Sequence, residues 1–306
     1  MERRHEFFGF KTRTDGPLSA DLDDRIVTAL QYMATKVGRK GTAVPEQTRA
    51  RRRAAGRFNY LTRHGIDIRH GRVLDLGAGL GEFSEEAVGR GASLVSIEPG
   101  DGFRQIVRDR IRRAGHGATI AGVGERLPFR DDAFDLVMSF QVLEHVQDPD
   151  AVVREAYRVL KPGGWLFLTT ENYLSFHEAH YNIAWLPLLP KRVGSWYLRL
   201  RGRPPEFLQT SITYTTRPGI RRLLRRCGFE SIRDRAFRSF CHAPASIHSA
   251  WKRRAVLAAR RVVSADRLGS ALAWLDQTAH LCAVGVTELA QKPLPRDTGA
   301  RTSRQP

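Results

Sequence analysis

A glycine-rich loop flanked by carboxylates is the part of this sequence whose residue types most clearly serve chemistry. The loop, residues 77–81 in "RVLDLGAGLGEFS", follows an apolar run and reads Gly-Ala-Gly-Leu-Gly. A triphosphate-binding loop ends in Gly-Lys-Ser/Thr, whereas Glu82 and Phe83 stand here. The dinucleotide fingerprint G-x-G-x-x-G does not fit either, because Glu82 occupies the place of its third glycine. Carboxylates on both sides of the turn, Asp75 and Glu82, favour a ligand with positive charge and hydroxyls over a pyrophosphate.

A further carboxylate, Glu98, ends the next apolar run in "SLVSIEPG", 21 residues after Gly77. An acid at the end of the second strand can accept hydrogen bonds from both hydroxyls of an adenosyl ribose. The loop and Glu98 together predict a site for an adenosine-containing ligand.

Histidines after the fourth and fifth predicted strands are the candidates for proton transfer. His145 in "LEHV" can act as a base, or it can cap and orient the following helix. The spacing of His177, His180 and Tyr181 in "FHEAHY" predicts that they share one helical face, which can supply a general base. Glu178 is expected to point elsewhere, and no third metal ligand is evident. The sequence therefore predicts no metal site.

Alternating strands and helices must position these residues. Near-continuously apolar strands such as "AFDLVMSF" alternate with helices such as "DPDAVVREAYRVLKPGG". This pattern predicts an α/β fold with a parallel sheet covered by helices on both faces. Before it, helices are predicted over 21–40 and 45–64, the second with Ala50, Ala54, Phe58 and Leu61 on one face.

Changes in composition divide the chain into five predicted regions. In order they are an N-terminal helical cap with a flexible start (1–65), a cofactor-binding half (66–172), a lid or acceptor insertion (173–213), a C-terminal half of the sheet with a basic helical insertion at 243–277 (214–292), and a disordered tail (293–306).

The formal charge of +18 favours anionic partners: nucleic acid, an anionic membrane face or phosphorylated substrates. Arginine-rich, solvated helix faces are the other interpretation. No segment resembles a signal peptide, and no apolar run approaches the roughly 18 to 20 residues that span a bilayer. Cys227, Cys241 and Cys282 lack metal or disulfide spacing, which is typical of a cytosolic protein with reduced thiols.

Two segments combine basic and apolar residues. The first, "AWLPLLPKRVGSWYLRLRGRPP", has prolines that favour a lid over a long helix, and its Trp, Tyr and Leu beside Arg and Lys are typical of a membrane-interfacial segment. A lid that packs on the core over an acceptor pocket is the alternative. The second, "WKRRAVLAARRVV", predicts a basic amphipathic helix, in which each basic residue near an anionic surface contributes roughly 1 kcal/mol.

The segment 124–172, "GERLPFRDDAFDLVMSFQVLEHVQDPDAVVREAYRVLKPGGWLFLTTEN", completes a wider pattern. With the glycine loop it resembles the class I S-adenosylmethionine-dependent methyltransferases, in particular the ubiquinone/menaquinone-type and small-molecule O-methyltransferase branch. The resemblance covers 70–172, and 214–292 in architecture only. It implies a doubly wound, Rossmann-like, seven-stranded, mostly parallel sheet with helical lid insertions and the cofactor S-adenosyl-L-methionine at the carboxyl ends of the first strands. The cofactor-binding residues that it implies are Asp75, Gly77, Ala78, Gly79, Gly81, Glu98, Pro99, Val123, Gly124, Glu125, Phe140 and Gln141.

One position departs from that family pattern. The turn after the third strand commonly carries an acid that accepts the adenine amino group, and Val123 stands there in this chain. Gly124 still offers a backbone N–H to the adenine.

The resemblance implies methyl transfer, most simply to a hydroxyl of a small or lipid-linked acceptor such as a quinone precursor, glycolipid or sugar. A sulfonium methyl is already activated, so the protein supplies in-line proximity and a base for a hydroxyl acceptor, without a metal. The resemblance implies that the residues just after the fifth strand, His177, His180 and Tyr181, contact the acceptor. An RNA methyltransferase that uses the basic surface is one alternative, although no RNA-recognition module or base-flipping "NPPY"-like motif is evident. A non-catalytic binding protein on the same fold is the other, which only Val123 favours. The expected location is cytoplasmic, with peripheral contact at the inner membrane face; the sequence does not indicate the oligomeric state.

Overall fold

Strands and helices alternate along the chain in the predicted manner. The computed structural model describes residues 21–39, 43–232, 250–279 and 281–295. The strands are β1 (Arg72–Leu76), β2 (Ser93–Ile97), β3 (Gly117–Ile120), β4 (Phe134–Phe140), β5 (Leu160–Glu171), β6 (His177–Glu178), β7 (Ile183–Ala184), β8 (Glu230–Ser231) and β9 (Gly285–Gln291). The helices are α1 (Leu22–Lys36), α2 (Ala43–Arg63), α3 (Glu82–Gly89), α4 (Asp101–Ala114), α5 (Pro149–Val159), α6 (Lys191–Leu200), α7 (Glu206–Ser211), α8 (Arg217–Arg226), α9 (Ala250–Ala259) and α10 (Ala265–Ala279).

Seven strands form the central sheet in the order β3-β2-β1-β4-β5-β9-β8. The pairs from β3 through β5 are parallel, and β9 is antiparallel to both of its neighbours. The strand order reverses between β1 and β4, and such a switch point opens a crevice at the carboxyl ends of the strands. The predicted doubly wound, mostly parallel, seven-stranded sheet is confirmed.

Helices cover both faces of this sheet, because the inner strands are apolar on both sides. On one face, Val152 and Ala156 of α5 and Leu224 of α8 pack against the strands. On the other face, Phe58 of α2 and Val107 of α4 do so. Helix α5 begins where the sequence predicts, since the Asp148 carboxylate accepts a hydrogen bond from Ala151 N–H (3.0 Å) and a proline follows it.

The N-terminal helices lie on the same face as α4. In α1, Leu22, Ile26 and Ala29 pack on Phe103 and Ile106. In α2, the four residues predicted to share a face, Ala50, Ala54, Phe58 and Leu61, are all buried. The predicted helices at 21–40 and 45–64 are confirmed, while the start of the chain, 1–20, lies outside the described residues.

The insertion after β5 forms a small unit with its own apolar core, which includes Tyr181, Trp185, Leu198 and Leu208. The prediction that His177, His180 and Tyr181 share a helical face is wrong, because the chain forms the β6–β7 hairpin there. The Glu178 carboxylate accepts the Tyr181 N–H at 2.6 Å within this turn. Asn182 adopts a left-handed conformation (φ 53°), which a continuing helix does not allow.

The C-terminal region returns to the sheet after two helices. The basic insertion expected at 243–277 contains α9 and α10, and its first residues, 243–249, lie outside the described residues. Within the predicted C-terminal half of the sheet (214–292), β8 and β9 form its last two strands. Cys241, the side chains of Trp251, Lys252 and Arg253, and the tail from 296 also lie outside the described residues. Across the described helices, none has both the length and the apolar composition needed to cross a membrane.

Candidate active site

A cavity of about 860 Å³ lies at the switch point, at the carboxyl ends of the parallel strands. This volume is at the upper end of the ~300–1,000 Å³ typical of small-molecule sites. The residues predicted to bind cofactor that line it are Asp75, Gly77, Ala78, Gly79, Glu98, Pro99, Val123, Gly124, Glu125, Phe140 and Gln141. Of the predicted catalytic residues, His145 and His180 line it. Gly81, His177 and Tyr181 do not line it.

The three glycines of the loop serve three different purposes. All have positive φ, at 72°, 54° and 78° for Gly77, Gly79 and Gly81. A Cβ on Gly77 would lie 2.6 Å from Val142 Cγ2, so this glycine permits close packing under the loop. A Cβ on Gly79 would meet nothing within 4 Å, because Gly79 faces the cavity. Gly81 precedes α3 and lies against Val107 of α4, and its part in cofactor binding stays a prediction.

Two buried carboxylates flank the loop. Glu98 is 1% exposed, and its two oxygens accept hydrogen bonds from Gly79 N–H (3.0 Å) and Gly100 N–H (2.9 Å). Burial raises the pKa of Glu98 to about 7 despite these two donors. Asp75 accepts a hydrogen bond from Ser84 Oγ at 2.6 Å, and burial raises its pKa to about 7 as well. The two acids keep negative charge close to the cavity when deprotonated, a setting that favours a cationic ligand.

The turn after β3 is built from backbone and apolar groups. Val123 pairs with Arg126 in an isolated bridge, and both Val123 and Gly124 line the cavity. A Cβ on Gly124 would lie 2.9 Å from Leu76 Cδ2, so this glycine lets the turn approach β1. Val123, which stands where the family pattern commonly has an acid, therefore forms part of the cavity wall.

The far half of the cavity begins at the end of β4. Phe140 lies against Phe83 with ring centroids 4.2 Å apart. Gln141 has a left-handed backbone (φ 57°), donates its N–H to Thr169 O at 2.8 Å and donates its side-chain amide to Glu171. A non-glycine residue with positive φ is strained and is enriched at functional sites.

A cluster of histidines and glutamates forms the end of this half. His180 Nδ1 lies 2.9 Å from Glu178 Oε1, and Glu178 is 2% exposed. Burial alone would lower the pKa of His180, but the hydrogen bond to Glu178 and the charges of Glu178, Glu144 and Glu171 outweigh it and raise that pKa above its ordinary value. The expectation that Glu178 points elsewhere is wrong, because Glu178 is the direct partner of His180.

His145 lies beside this pair but has the opposite character. Its ring is 5.1 Å from that of His180, and its Nδ1 lies 2.9 Å from the carbonyl oxygen of Ser211. Burial, together with the charge of His180, lowers the pKa of His145 to about 3. His145 is therefore a neutral imidazole whose Nδ1–H donates to that carbonyl.

A third ligand-type side chain, Glu144, completes the cluster and was missed by the sequence reasoning. One ligand atom each from Glu144, His145 and His180 lie within 4.8 Å of one another, a spacing that could hold a metal ion. Glu144 Oε2 accepts a hydrogen bond from Thr170 Oγ1 at 2.7 Å, and burial raises the pKa of Glu144 to about 7. The sequence joins Glu144 to His145 but cannot show that His180 folds back onto them. Metal independence stays a prediction.

The predicted site residues His177 and Tyr181 belong to the insertion after β5. Tyr181 is fully buried, donates its hydroxyl hydrogen to Pro204 O (2.8 Å) and accepts the Leu208 N–H (3.2 Å). These bonds connect the hairpin to α7. His177 starts β6, and its N–H donates to Ser175 Oγ at 3.1 Å.

Arginines of the N-terminal region also reach the cavity, and the sequence did not predict them. Arg39, Arg53 and Arg57 line it. Arg57 donates to Thr287 Oγ1 (3.3 Å), and its Cζ lies 5.8 Å from the Phe167 ring centroid. Burial and the charge of Arg53 lower the pKa of Arg57. Within the described parts of the chain, no carboxylate forms an ion pair with Arg57. In the sequence, Arg53 and Arg57 belong to the arginine-rich segment "RARRRAAGR", which is typical of a solvated helix face.

The reversed strand order, the glycine turn and the acid after β2 define a doubly wound α/β protein with an adenosyl-type site at its switch point. Comparison with known proteins agrees with this class. A family model described as a methyltransferase domain matches residues 74–168. The ubiquinone biosynthesis O-methyltransferase of Pseudomonas aeruginosa is 33% identical over 163 residues, which are 45% of this chain and 69% of that protein.

Solved structures agree at the level of the fold. A Galdieria sulphuraria chain, provisionally assigned as a sarcosine dimethylglycine methyltransferase, superposes with a TM-score of 0.52 at 16% identity, over 90% of this chain and 99% of that one. The cyclase SpnF superposes with a TM-score of 0.50 at 23% identity, over 89% and 94%. The fold alone thus accommodates more than one activity, and the family follows from the sequence relatives. The chain belongs to the class I S-adenosylmethionine-dependent methyltransferases, and its cofactor is S-adenosyl-L-methionine.

Proposed function

We propose that this methyltransferase transfers the methyl group to a hydroxyl oxygen of a small or lipid-linked acceptor. The observation that carries the proposal is the Glu178–His180 pair, which lies at the cavity wall beyond the glycine loop. A hydroxyl is a weak nucleophile until its proton is removed, and a histidine oriented by a buried carboxylate is a common solution. The O-methyltransferase relative is consistent with an oxygen acceptor.

The reaction needs one proton transfer and one bond exchange. Bound cofactor supplies an electrophilic methyl group on a sulfonium. Glu178 holds the Nδ1–H of His180, which leaves Nε2 to accept the acceptor's hydroxyl proton. The acceptor oxygen forms the new O–CH₃ bond as the S–CH₃ bond breaks, and the electron pair of that bond stays on sulfur. The products are a methyl ether, the neutral thioether and a protonated His180.

His180 suits the role of base better than His145. A base is most effective when its pKa lies near the working pH. The pKa of His180 is raised by its carboxylate neighbours, whereas that of His145 lies at about 3. His145 instead limits the movement of His180, because its ring packs edge-to-face at 5.1 Å.

The near half of the cavity fits the cofactor by its donor set. The buried Glu98 carboxylate offers a remaining lone pair on each oxygen to the ribose hydroxyls. Gly79 lets the backbone approach the methionine part, since nothing lies within 4 Å of where its Cβ would be. Arg57 supplies the positive charge that the methionine carboxylate requires, because its guanidinium faces the cavity without a described carboxylate partner. The backbone of Gly124 makes the hydrogen bonds to adenine, since the Val123 side chain has no hydrogen-bond acceptor.

The first test uses methyl-labelled S-adenosylmethionine with purified protein and an extract of the source cell. After the reaction, the extract is divided into organic, aqueous and nucleic-acid fractions. We expect label in the organic fraction, or in a water-soluble phenol or sugar, as an acid- and base-stable methyl ether. Label in RNA, or on nitrogen, contradicts the proposal. Cofactor binding without label in any fraction indicates a non-catalytic protein.

The second test concerns the base and uses the labelled acceptor. Neutral His180 is the active form, so activity rises with pH through a midpoint above the ordinary histidine value of 6.5. Glu178→Gln keeps an acceptor for Nδ1–H but removes the charge, so the midpoint moves to lower pH and the plateau rate falls. His180→Gln is expected to lower kcat by about 10²–10⁴-fold, with cofactor affinity unchanged. An unchanged pH profile in Glu178→Gln refutes the assignment.

A further inference from the structure

One outward surface of the insertion after β5 is apolar and basic together. We call it the lid face; its apolar members are Phe176, Leu186, Leu188, Val193, Trp196 and Leu200, and its basic members are Arg192, Arg199 and Arg201. The relative exposure of Phe176, Leu186 and Trp196 is 61% each. Soluble surfaces rarely group this many large exposed apolar side chains on one short segment.

The local structure forces these side chains outward. In α6, Gly194, Ser195 and Leu198 are buried, while Val193 and Trp196 lie on the opposite side. A Cβ on Gly194 would lie 2.6 Å from the Trp185 ring, so the helix packs tightly on that tryptophan. The apolar residues of the outer side therefore cannot turn inward without losing this packing.

The hairpin extends the same surface beside α6. Trp185 N–H donates to Phe176 O at 2.9 Å, which keeps Phe176 next to Trp185 and Leu186. Leu189 N–H donates to Leu186 O at 3.1 Å and bends the chain toward α6. The Trp185 side chain lies against Gly194, so the segment that carries Phe176 and Leu186 is connected to α6 through this tryptophan.

The charged side chains of the lid-face segment are all positive. Between Glu178 and Glu206 the sequence has no Asp or Glu, and it has five Lys and Arg. Lys191 bonds inward, to the carbonyls of Gln209 and Ile212. Arg192, Arg199 and Arg201 are exposed and form no ion pair with any residue that the structure describes.

We propose that the lid face is a docking surface for an anionic lipid bilayer. Trp and Leu side chains enter the headgroup and upper acyl region, while arginines at the same level contact lipid phosphates. Each arginine near an anionic surface contributes about fivefold to partitioning, so three contribute roughly 100-fold. The aliphatic members, Leu186, Val193 and Leu200, have no flat ring for stacking on bases, which favours lipid over single-stranded nucleic acid.

Docking would also orient the cavity. Ala179 and His180, in the hairpin turn of the same insertion, line the cavity wall. Docking would therefore hold the segment that carries His180 at the bilayer. The proposal rests on the lid face alone and stands whether or not the acceptor is a hydroxyl compound.

The experiment is co-sedimentation of the full chain with vesicles of phosphatidylcholine alone and of phosphatidylcholine with 30% phosphatidylglycerol. We expect binding to the anionic vesicles that weakens as salt rises, with little binding to phosphatidylcholine alone. Arg192→Glu/Arg199→Glu is expected to weaken binding at least about 25-fold, and Trp196→Ser/Leu200→Ser to weaken it at both low and moderate salt. The matched control is Arg222→Glu/Arg225→Glu, two exposed arginines on α8, and it should lose less than threefold.

Each variant must keep the wild-type melting temperature and cofactor affinity, which separates loss of the surface from loss of the fold. As a further readout that does not depend on charge reversal, brominated lipids should quench tryptophan fluorescence, and Trp196→Phe should remove most of that quenching. Equal losses in the α8 control, or no wild-type binding to anionic vesicles, overturn the proposal. So does a lid face that proves to bind RNA or a second copy of the chain while vesicle binding is absent.

Discussion

Replacing Glu98 by glutamine tests both the cofactor assignment and the energetic cost of a buried carboxylate. The side chain keeps its shape, but it loses its charge and one of its two acceptor oxygens. Hydrogen bonds to a charged group contribute about 1.5–3 kcal/mol each, and the amide NH₂ opposes a ribose hydroxyl. We expect cofactor affinity to fall by about 3 kcal/mol, which is roughly 150-fold in Kd. Isothermal titration with S-adenosylmethionine or its thioether product measures this change.

The same variant should alter the pH dependence of stability. The pKa of Glu98 is about 7 in the folded protein against an ordinary value of 4.5. An acid whose pKa is higher in the folded than in the unfolded protein stabilises the fold fully when the pH is below its unfolded pKa. That stability is lost as the pH rises from about 4.5 through 7. The difference corresponds to about 3 kcal/mol between pH 4 and pH 8. Because Glu98 is almost fully buried, little of this is screened by solvent.

The direction of the change in stability with pH distinguishes the loss of the buried charge from a general destabilisation of the fold. Glutamine carries no charge at any pH, so Glu98→Gln should gain stability relative to wild type as the pH rises, by an amount on the order of 3 kcal/mol. Glutamine also loses the acceptor for Gly79 or Gly100 N–H, which lowers the free energy of unfolding by about 1–3 kcal/mol. Because this loss is the same at every pH, it does not change the trend with pH. Denaturant melts at pH 5 and pH 8 measure the trend. Glu86→Gln in α3, whose carboxylate accepts a hydrogen bond from Arg90 and does not line the cavity, is the control and should leave the cofactor affinity unchanged. Wild-type affinity in Glu98→Gln would falsify the ribose assignment.

Three further changes probe the rest of the site. Gly77→Ala should destabilise the fold by several kcal/mol, because φ is 72° and the Cβ would lie 2.6 Å from Val142. Gly79→Ala, at φ 54°, meets open space, so it should cost about 1 kcal/mol of stability but weaken cofactor affinity more than tenfold. Melts and cofactor titrations on both variants measure this difference. Arg57→Gln should weaken the cofactor by about 10–100-fold and leave binding of 5′-methylthioadenosine, which has no carboxylate, unchanged; equal loss for both ligands contradicts the role given to Arg57. Chelation with EDTA should leave methyl transfer unchanged, and a loss of activity that zinc or magnesium restores would assign Glu144, His145 and His180 to a metal.

The parts of the fold that the sequence predicted are those governed by local patterns. The strands β1, β2 and β4 are apolar runs, α5 begins at an Asp-Pro cap, and the glycine loop joins a strand to a helix. The hairpin at His177 was misread as a helix because a spacing of three and four residues fits a helical face whatever the backbone does. What decides that segment is the Glu178 carboxylate and the left-handed Asn182, neither of which has a periodic signal.

The site was predictable where its residues follow consecutive strands, and not where distant segments meet. Glu98 and Gln141 end strands of one sheet, so the parallel topology alone brings them to one edge. Arg53 and Arg57 reach the same cavity because α2 packs its apolar face on the sheet, which places these two arginines at the cavity wall. His180 meets Glu144 through a lid whose own core includes Tyr181 and Trp185. Contacts of this kind depend on tertiary packing, which propensity and spacing do not encode.

The charge of this protein is divided between its surface and its cavity, and that division connects the cofactor site to the lid face. The chain carries +18, yet Asp75, Glu98, Glu144 and Glu171 are buried at or beside the cavity, each with a raised pKa. Acids held near the point of ionisation cost less to bury, and a cationic sulfonium favours their charged form, so cofactor binding should release protons from the protein. The neutral thioether product loses that attraction, so the same acids favour exchange of product for fresh cofactor. The arginines outside the cavity do not oppose this preference, because solvent and salt screen them, whereas the buried acids act at short range. A basic exterior and acidic groups at the cavity are thus compatible within one domain, because the apolar layer of the sheet separates the two sets of charges.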